Sequence, residues 1–188
     1  MNVASSFSEP FKTNQPLMRF LILLLFPVLS FSQSRLDTLR FLNGKVKILA
    51  PQELKPMSDQ MWTAKYQKRA RPLLVLSDDD GEVNLLADMT PQPAAESQLA
   101  SFKDFQIQQL KSRRPDLELL SDGVKTINGK KVGYFTFVTQ AIDQKVFNYY
   151  FFTIVDGKVL FFSFNCIEKL QKKWEQTADQ IVASLKIT

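Results

Sequence analysis

The second half of the chain alternates long apolar segments with short turn motifs. These segments are separated by Asn128-Gly129, by a polar stretch near Asp143 and by Asp156-Gly157. Asn-Gly and Asp-Gly pairs favour two-residue hairpin turns, because both turn residues must adopt a positive φ. The pattern therefore predicts an antiparallel meander with strands at residues 117–127, 132–141, 146–155 and 159–166.

The last two of these strands are apolar at nearly every position. They contain FNYYFFTIV and VLFFSF, whereas a strand with one solvated face alternates apolar and polar residues. We therefore expect other elements to cover both faces of the sheet. Residues 168–185 predict a terminal helix that covers one face, because their apolar side chains follow a helical spacing. These side chains are Leu170, Trp174, Ala178, Ile181, Val182 and Leu185.

The first half of the chain predicts shorter elements. Residues 46–50 alternate and predict a first strand that a proline ends. Ser58 is a suitable N-cap for a short helix that runs to about residue 69. The apolar runs 73–76 and 83–87 flank an Asp-Gly turn and predict a β-hairpin.

A long helix is predicted at residues 94–113, followed by Pro115. One helical stripe contains Leu99, Phe102, Gln106 and Leu110, and the apolar residues Phe105 and Ile107 widen it. With the other elements it predicts an α+β domain in which a central antiparallel sheet is flanked by helices, an α/β/α sandwich.

Composition limits both the size and the chemistry of the protein. The 188 residues are 45% hydrophobic and 23% charged, which is typical of a folded chain, and we expect one domain at residues 33–188.

No histidine is present, which excludes Ser-His-Asp triads, Cys-His dyads and histidine-liganded metal sites. Cys166 is the only cysteine, so no disulfide forms within the chain, and its apolar neighbours favour a buried thiol over a nucleophile. No catalytic, cofactor-binding or metal-ligating residue is predicted.

The net charge of +5 does not indicate a nucleic-acid partner. The 24 basic residues are spread among 19 acidic ones, whereas nucleic-acid-binding proteins carry a clustered basic surface. The acidic group Asp78, Asp79 and Asp80 is consecutive, without the alternating spacing of a calcium loop, and a hairpin turn explains it better.

The N-terminal region has the pattern of an export signal. Met18-Arg19 precedes the 12-residue apolar run FLILLLFPVLSF, and small residues at Ser30 and Ser32 suit a signal peptidase. A membrane-spanning helix needs about 20 apolar residues, so no permanent anchor is expected. We interpret residues 1–32 as an N-terminal extension plus signal peptide, with cleavage after Ser32 or Gln33. Met18 is the expected start, and the alternative is a long charged region before the apolar run.

A soluble exported protein follows from this interpretation, either periplasmic or extracellular. No cysteine lies near the signal end, so a lipoprotein is not expected.

The one candidate contact surface is the far end of the short helix, which combines aromatic and basic residues of the kind enriched at interfaces. It consists of Trp62, Lys65, Tyr66, Lys68, Arg69 and Arg71. The alternative is that Trp62 packs inward beside solvated basic side chains.

The order of elements resembles the PsbP/Mog-like superfamily of α/β/α sandwiches, including its exported DcrB-like members. The resemblance covers residues 38–187 and rests on KILAP, on Thr90-Pro91 before the long helix, on ING followed by KKVGYFTF, and on YYFFTIVDGKVLFFSFNC before the Trp174 helix. It implies a largely non-enzymatic binding or assembly module and supplies no catalytic residues.

Three functions stay open at this point. The leading hypothesis is an exported, non-catalytic accessory or protein-interaction module of a bacterial envelope, whose partner is an unknown envelope protein and not a nucleic acid. The second is a periplasmic carrier of an apolar small molecule, in which the aromatic strands line a pocket. The third is a hydrolase that uses carboxylates alone, which requires two acidic side chains facing one cleft. Its possible members are Asp78, Asp79, Asp80, Asp104, Glu118 and Asp122, and their spacing singles out no pair.

Overall fold

The computed structural model describes residues 34–67 and 69–188. The predicted N-terminal extension, signal peptide and start at Met18 lie outside the described residues, as does Lys68. The helices are α1 Asp59–Tyr66, α2 Leu99–Arg113, which a 3₁₀ turn at Glu96–Gln98 precedes, and α3 Glu168–Ala183. The strands are β1 Leu36–Phe41, β2 Val46–Pro51, β3 Lys55–Pro56, β4 Leu74–Ser77, β5 Val83–Pro93, β6 Glu118–Ile127, β7 Lys130–Gln140, β8 Lys145–Val155, β9 Lys158–Ile167 and β10 Lys186–Ile187.

Seven strands form one antiparallel sheet in the order β3-β4-β5-β9-β8-β7-β6. The predicted meander β6 to β9 is confirmed, and so is the β4–β5 hairpin. The Asn128-Gly129 and Asp156-Gly157 turns have φ values of 46°, 80°, 49° and 71°, so all four turn residues adopt the positive φ that their sequence favours.

Aromatic side chains fill both faces of this sheet. Phe151 stacks on Phe162 on one face, with ring centroids 4.5 Å apart. The next pair along the strands, Phe152 and Phe161, stacks on the other face at 5.6 Å. Both pairs are directly opposite in the β8–β9 register, so each strand contributes one ring to each face.

One face, called the α3 face below, is covered by α3 and by a small sheet in the order β1-β2-β10. Trp174, Ile181 and Val182 of α3 are buried there with Val46 and Ile48 of β2. The terminal helix is therefore confirmed, together with the apolar stripe that predicted it. The opposite α2 face is covered by α2, which packs against the rings of β7 and β8, and by α1.

Some elements differ from their sequence-based expectations. The strand at 46–50 is the second strand, because β1 precedes it and pairs with it antiparallel. β1 carries the polar sequence LDTLRF with only partly buried apolar residues, so its own pattern is weak. The predicted helix at 94–113 begins its α-helical part five residues later, at Leu99, and Phe105 of its stripe is 54% exposed. Among the described residues, no helix is long and apolar enough to span a membrane.

The end of α2 is joined to the sheet by an exposed carboxylate. Asp116 Oδ1 accepts a hydrogen bond from Arg114 Nε at 3.0 Å, and its Oδ2 accepts from Arg114 Nη2 and from the Gln140 backbone N–H, both at 2.7 Å. The Arg114 guanidinium and the Gln140 N–H hold the pKa of Asp116 well below its usual 3.8. The loop after α2 is thereby held at the end of β7.

We expect Asp116→Asn to lower the free energy of unfolding at pH 7. Because the folded-state pKa of Asp116 is depressed, its contribution is fully present above its ordinary pKa and is lost as the pH falls below that value. The difference between wild type and variant should therefore shrink between pH 6 and pH 2, measured by urea unfolding at each pH. Asp143→Asn, at an exposed loop position, is the control and should show no such pH dependence. A constant difference at every pH would contradict the role of the charge.

Gly133 of β7 lies directly opposite Phe152 in the β7–β8 register. A Cβ atom at this position would overlap the Phe152 ring, 2.6 Å from its Cζ atom. We expect Gly133→Ala to destabilise the protein by about 1–3 kcal/mol, as other overpacked cores are destabilised. Chemical denaturation measures the change, and Lys131→Ala at an exposed position of β7 should alter stability by less than about 0.5 kcal/mol. A neutral Gly133→Ala would mean that the Phe152 ring can move aside.

Candidate functional site

The candidate contact surface at the end of α1 begins with a well-capped helix. Ser58 Oγ accepts a hydrogen bond from the Met61 N–H at 3.1 Å, which confirms the predicted N-cap. Trp62, at 8% exposure, packs among Met57 and Val75. The structure therefore agrees with the alternative in which Trp62 points inward.

The remaining residues of this surface surround Trp62. Its indole N–H donates a hydrogen bond to the Arg69 carbonyl at 3.2 Å, and the Tyr66 ring lies 4.3 Å from its ring centroid. The Arg71 guanidinium lies 5.7 Å from the same ring and donates to Asp59 Oδ1 at 3.0 Å. These contacts bring Trp62, Tyr66, Arg69 and Arg71 together and fasten α1 to the following loop.

Lys65 is directed to the neighbouring hairpin turn. Its ammonium donates a hydrogen bond to the Gly81 carbonyl, and partial burial lowers its pKa. In the same turn, the Asp78 carboxylate accepts a hydrogen bond from the Val83 N–H at 3.0 Å. The acidic group thus closes the hairpin, as its sequence suggested. The outward-facing part of the α1 surface is left to Arg69 and Arg71.

An apolar groove lies on the α2 face, where the start of α2 meets the end of β5 and the β8–β9 hairpin. Its volume is about 360 Å³, and its apolar walls include Phe102, Phe105, Ile154 and Val159. Phe102 packs edge-on against the sheet, with its centroid 5.0 Å from that of Phe152, whereas more than half of Phe105 is exposed at the groove. The groove can receive an apolar group and lacks a charged side chain on its walls.

One wall of the groove is an irregular stretch of β5. Met89 pairs with Leu160 and Pro93 with Lys158, so residues 90–92 stand opposite a single residue of β9. Such a bulge bends a strand and often lies beside a functional site. The sequence contains a signal for this bulge, because Pro91 and Pro93 cannot donate to a β-ladder, but the two prolines do not by themselves predict the groove.

Four of the six acidic residues considered for a hydrolase have structural partners: Asp78 in the hairpin turn, and Asp104, Glu118 and Asp122 in ion pairs. Lys103 forms ion pairs with both Asp104 and Asp122, and Glu118 pairs with Lys145 at 3.4 Å. Two pairs of carboxylates line a cleft in the described residues. Asp78 and Asp79 line one beside the start of α1, and Glu175 and Asp179 of α3 line another. Neither pair lines the apolar groove.

Cys166 is fully buried within the core of the α3 face. Burial, and then the charges of Glu175 and Asp78, raise the pKa of Cys166 to about 12. A thiol with this pKa keeps its proton at neutral pH and is a poor nucleophile. The predicted buried role of Cys166 is confirmed.

Comparisons with known proteins place the chain in a family. Its fold is similar to that of the cyanobacterial PsbP protein from Synechocystis, with a TM-score of 0.61 and 12% identity over 87% of this chain and 99% of the other. It is also similar to the Ran-binding protein Mog1p of Saccharomyces cerevisiae, with a TM-score of 0.55 and 10% identity over 82% and 96% of the two chains.

A third similar structure is LpqN of Mycobacterium tuberculosis, described as involved in cell envelope biogenesis. Its TM-score is 0.55 and its identity 12%, over 82% of this chain and 91% of the other. At such identities these similarities establish the fold alone, the α+β sandwich that PsbP and Mog1p share, and the expected fold class is confirmed. No curated protein matches the sequence. The DcrB family profile matches residues 61–184, about two thirds of the sequence, and the chain belongs to the DcrB family.

Proposed function

We propose that this chain is an exported, non-catalytic accessory protein of a bacterial envelope that binds another protein through the apolar groove. The observation that carries the proposal is Phe105, a large aromatic side chain held more than half exposed at an apolar cavity. Aromatic anchors that fill such pockets contribute most of the energy of many interfaces. One structural relative is described as a Ran-binding protein and another as involved in envelope biogenesis, which agrees with a binding role in that compartment.

The shape of the groove favours a side chain of a partner over a free ligand. Small-molecule sites usually have volumes of about 300–1,000 Å³ and bury most of the ligand surface. At about 360 Å³ the groove is at the low end of that range, and the exposure of Phe105 leaves its mouth open. A carrier of an apolar small molecule is the second candidate function, because the same walls would also accept a compact apolar ligand.

The surface at the end of α1 is proposed as a second, polar contact. Arg69 and Arg71 are exposed there beside Leu73, which is 55% exposed. Arginine with neighbouring apolar surface is a common composition of interfaces. Lys68 is assigned to the same proposed surface because it precedes Arg69 in the sequence.

The groove is tested with a photo-activatable cross-linker at position 105 of the full-length protein expressed in its native cells. We expect one envelope protein to be covalently captured from position 105 and not from position 142. Ile142 is the matched control, because it is a fully exposed large apolar residue outside the groove. Phe105→Glu should weaken binding of the captured partner roughly tenfold or more, and Ile142→Glu should have little effect.

Two results would contradict this proposal. Equal capture from positions 105 and 142 would mean that the groove is not the contact. Persistence of a small apolar molecule in native mass spectra, lost in Phe105→Glu and accompanied by no protein adduct, would favour the carrier.

The non-catalytic part of the proposal predicts an unreactive thiol. Because burial raises the pKa of Cys166, iodoacetamide at pH 8.5 should label it only after unfolding. Mass spectrometry of native and urea-unfolded protein measures the labelling. Rapid labelling of the native protein would show an accessible thiolate and would reopen the question of covalent chemistry.

A further inference from the structure

A polar cleft lies on the α3 face, on the opposite side of the sheet from the groove. α3 packs over the centre of the sheet and leaves a cavity of about 220 Å³ beside the outer strands β6 and β7. Strands β6, β7 and β8 form one wall and its floor, and α3 forms the other wall. The polar side chains in it are Ser121, Lys125, Tyr134, Thr136, Tyr149, Glu175 and Asp179.

The strand wall presents an ammonium group on an aromatic surface. Lys125 Nζ lies 4.5 Å from the ring centroid of Tyr134 and 5.9 Å from that of Tyr149. It also donates a hydrogen bond to the Tyr149 hydroxyl at 3.2 Å. These contacts hold the lysine side chain along the cleft instead of leaving it free in solvent.

The floor of the cleft links this lysine to the opposite wall. Tyr149 is 3% exposed, and its hydroxyl accepts from Lys125. Burial, the negative charge of Asp179 and a hydrogen bond to that carboxylate hold the pKa of Tyr149 above its usual value. The hydroxyl therefore keeps its proton at neutral pH, with the Lys125 ammonium as its hydrogen-bond donor and the Asp179 carboxylate in the same cleft.

The helix wall presents two carboxylates. Glu175 and Asp179 are four residues apart on α3, a spacing at which like charges repel each other and weaken a helix. Within residues 34–67 and 69–188, neither forms an ion pair with a lysine or arginine. The repulsion between the two carboxylates is therefore not offset by an ion pair in this part of the chain, where Glu175 accepts only a long hydrogen bond from Gln171 Nε2, at 3.5 Å.

The charges on the two walls restrict the chemistry of a ligand. An anion is repelled by Glu175 and Asp179, and a cation is repelled by Lys125. An apolar molecule would leave the charged and hydroxyl groups of the cleft without partners. A ligand with an ammonium group and a carboxylate close together pairs with both walls at once.

We propose that the cleft between α3 and strands β6–β8 binds a small zwitterion of the α-amino acid type. Its ammonium group pairs with Glu175 and Asp179, and its carboxylate accepts from the Lys125 ammonium. Tyr149, at the floor, holds the lysine side chain along the cleft. This site shares no residue with the apolar groove, so the proposal does not depend on the proposed protein partner.

The test is an NMR titration of the ¹⁵N-labelled protein, purified in the form in which it accumulates in cells. Three charged probes of similar size are compared. L-Alanine carries both charges, ethylamine lacks the carboxylate and propionate lacks the ammonium. We expect saturable shifts at Lys125, Tyr149 and Asp179 with L-alanine. Ethylamine and propionate should bind at least about tenfold more weakly, the effect of losing one charge-assisted hydrogen bond.

Variants of each wall separate the two contacts. Asp179→Asn, or Glu175→Gln if the first fails to fold, should reduce binding of L-alanine about tenfold, and so should Lys125→Met. Glu168→Gln on α3 and Lys131→Met on β7 are the matched controls, because both side chains are exposed and lie outside the cleft. They should leave the affinity unchanged.

Three outcomes would overturn the proposal. Equal binding of L-alanine and ethylamine would mean that the cleft recognises a cation and not a zwitterion. Glucose serves as an additional, uncharged probe, and its binding without binding of L-alanine would assign the cleft to a neutral hydroxylated ligand. Unchanged spectra with every probe at 100 mM, on the order of a hundred times a 1 mM dissociation constant, would show that no such ligand binds.

Discussion

The structure depends on two phenylalanine pairs that β8 and β9 place back to back. Phe151–Phe162 and Phe152–Phe161 occupy consecutive positions of the same register, so one pair stacks on each face of the sheet. Complete burial of one such ring stabilises a fold by about 1.5–3 kcal/mol, but only where other elements exclude water. Neither face can therefore be left to solvent. This requirement explains the sandwich, in which α2 and α1 cover one side of the sheet and α3 with the small sheet covers the other.

Both concave sites lie where these covering layers end. α2 buries Leu99 and Ile107 against the sheet, but its first turn stands over the irregular stretch of β5, and the apolar groove opens there. α3 covers β8 and β9 and stops short of β6 and β7, which leaves the polar cleft. The groove is apolar because it adjoins the aromatic layer. The cleft is polar because it adjoins the solvated outer strands of the sheet.

The meander and the terminal helix are predictable from sequence because their signals are local. An Asn-Gly or Asp-Gly pair determines its own hairpin, and the spacing of Trp174 and Ile181 determines which side of α3 is buried. β1 is not predictable in this way, because its polar sequence becomes a strand only by pairing with β2. Prediction of the polar cleft would require contacts between residues that are still farther apart in the sequence. Helical periodicity places Asp179 on the solvated side of α3, but it does not reveal that Lys125 and Tyr149 lie opposite.

Both sites contain a side chain that the fold alone does not favour. In the groove, Phe105 exposes an aromatic ring at a position of α2 where a polar residue would suffice to cover the sheet. In the cleft, the like charges of Glu175 and Asp179 weaken the helix that carries them. Violations of local rules tend to concentrate where a protein functions. The core of the α3 face also holds two groups whose pKa values are raised by burial, Cys166 and Tyr149, and both keep their protons at neutral pH. In residues 34–67 and 69–188, the exposed Phe105 ring and the Glu175–Asp179 pair, which forms no salt bridge there, are the features on which the two binding proposals depend.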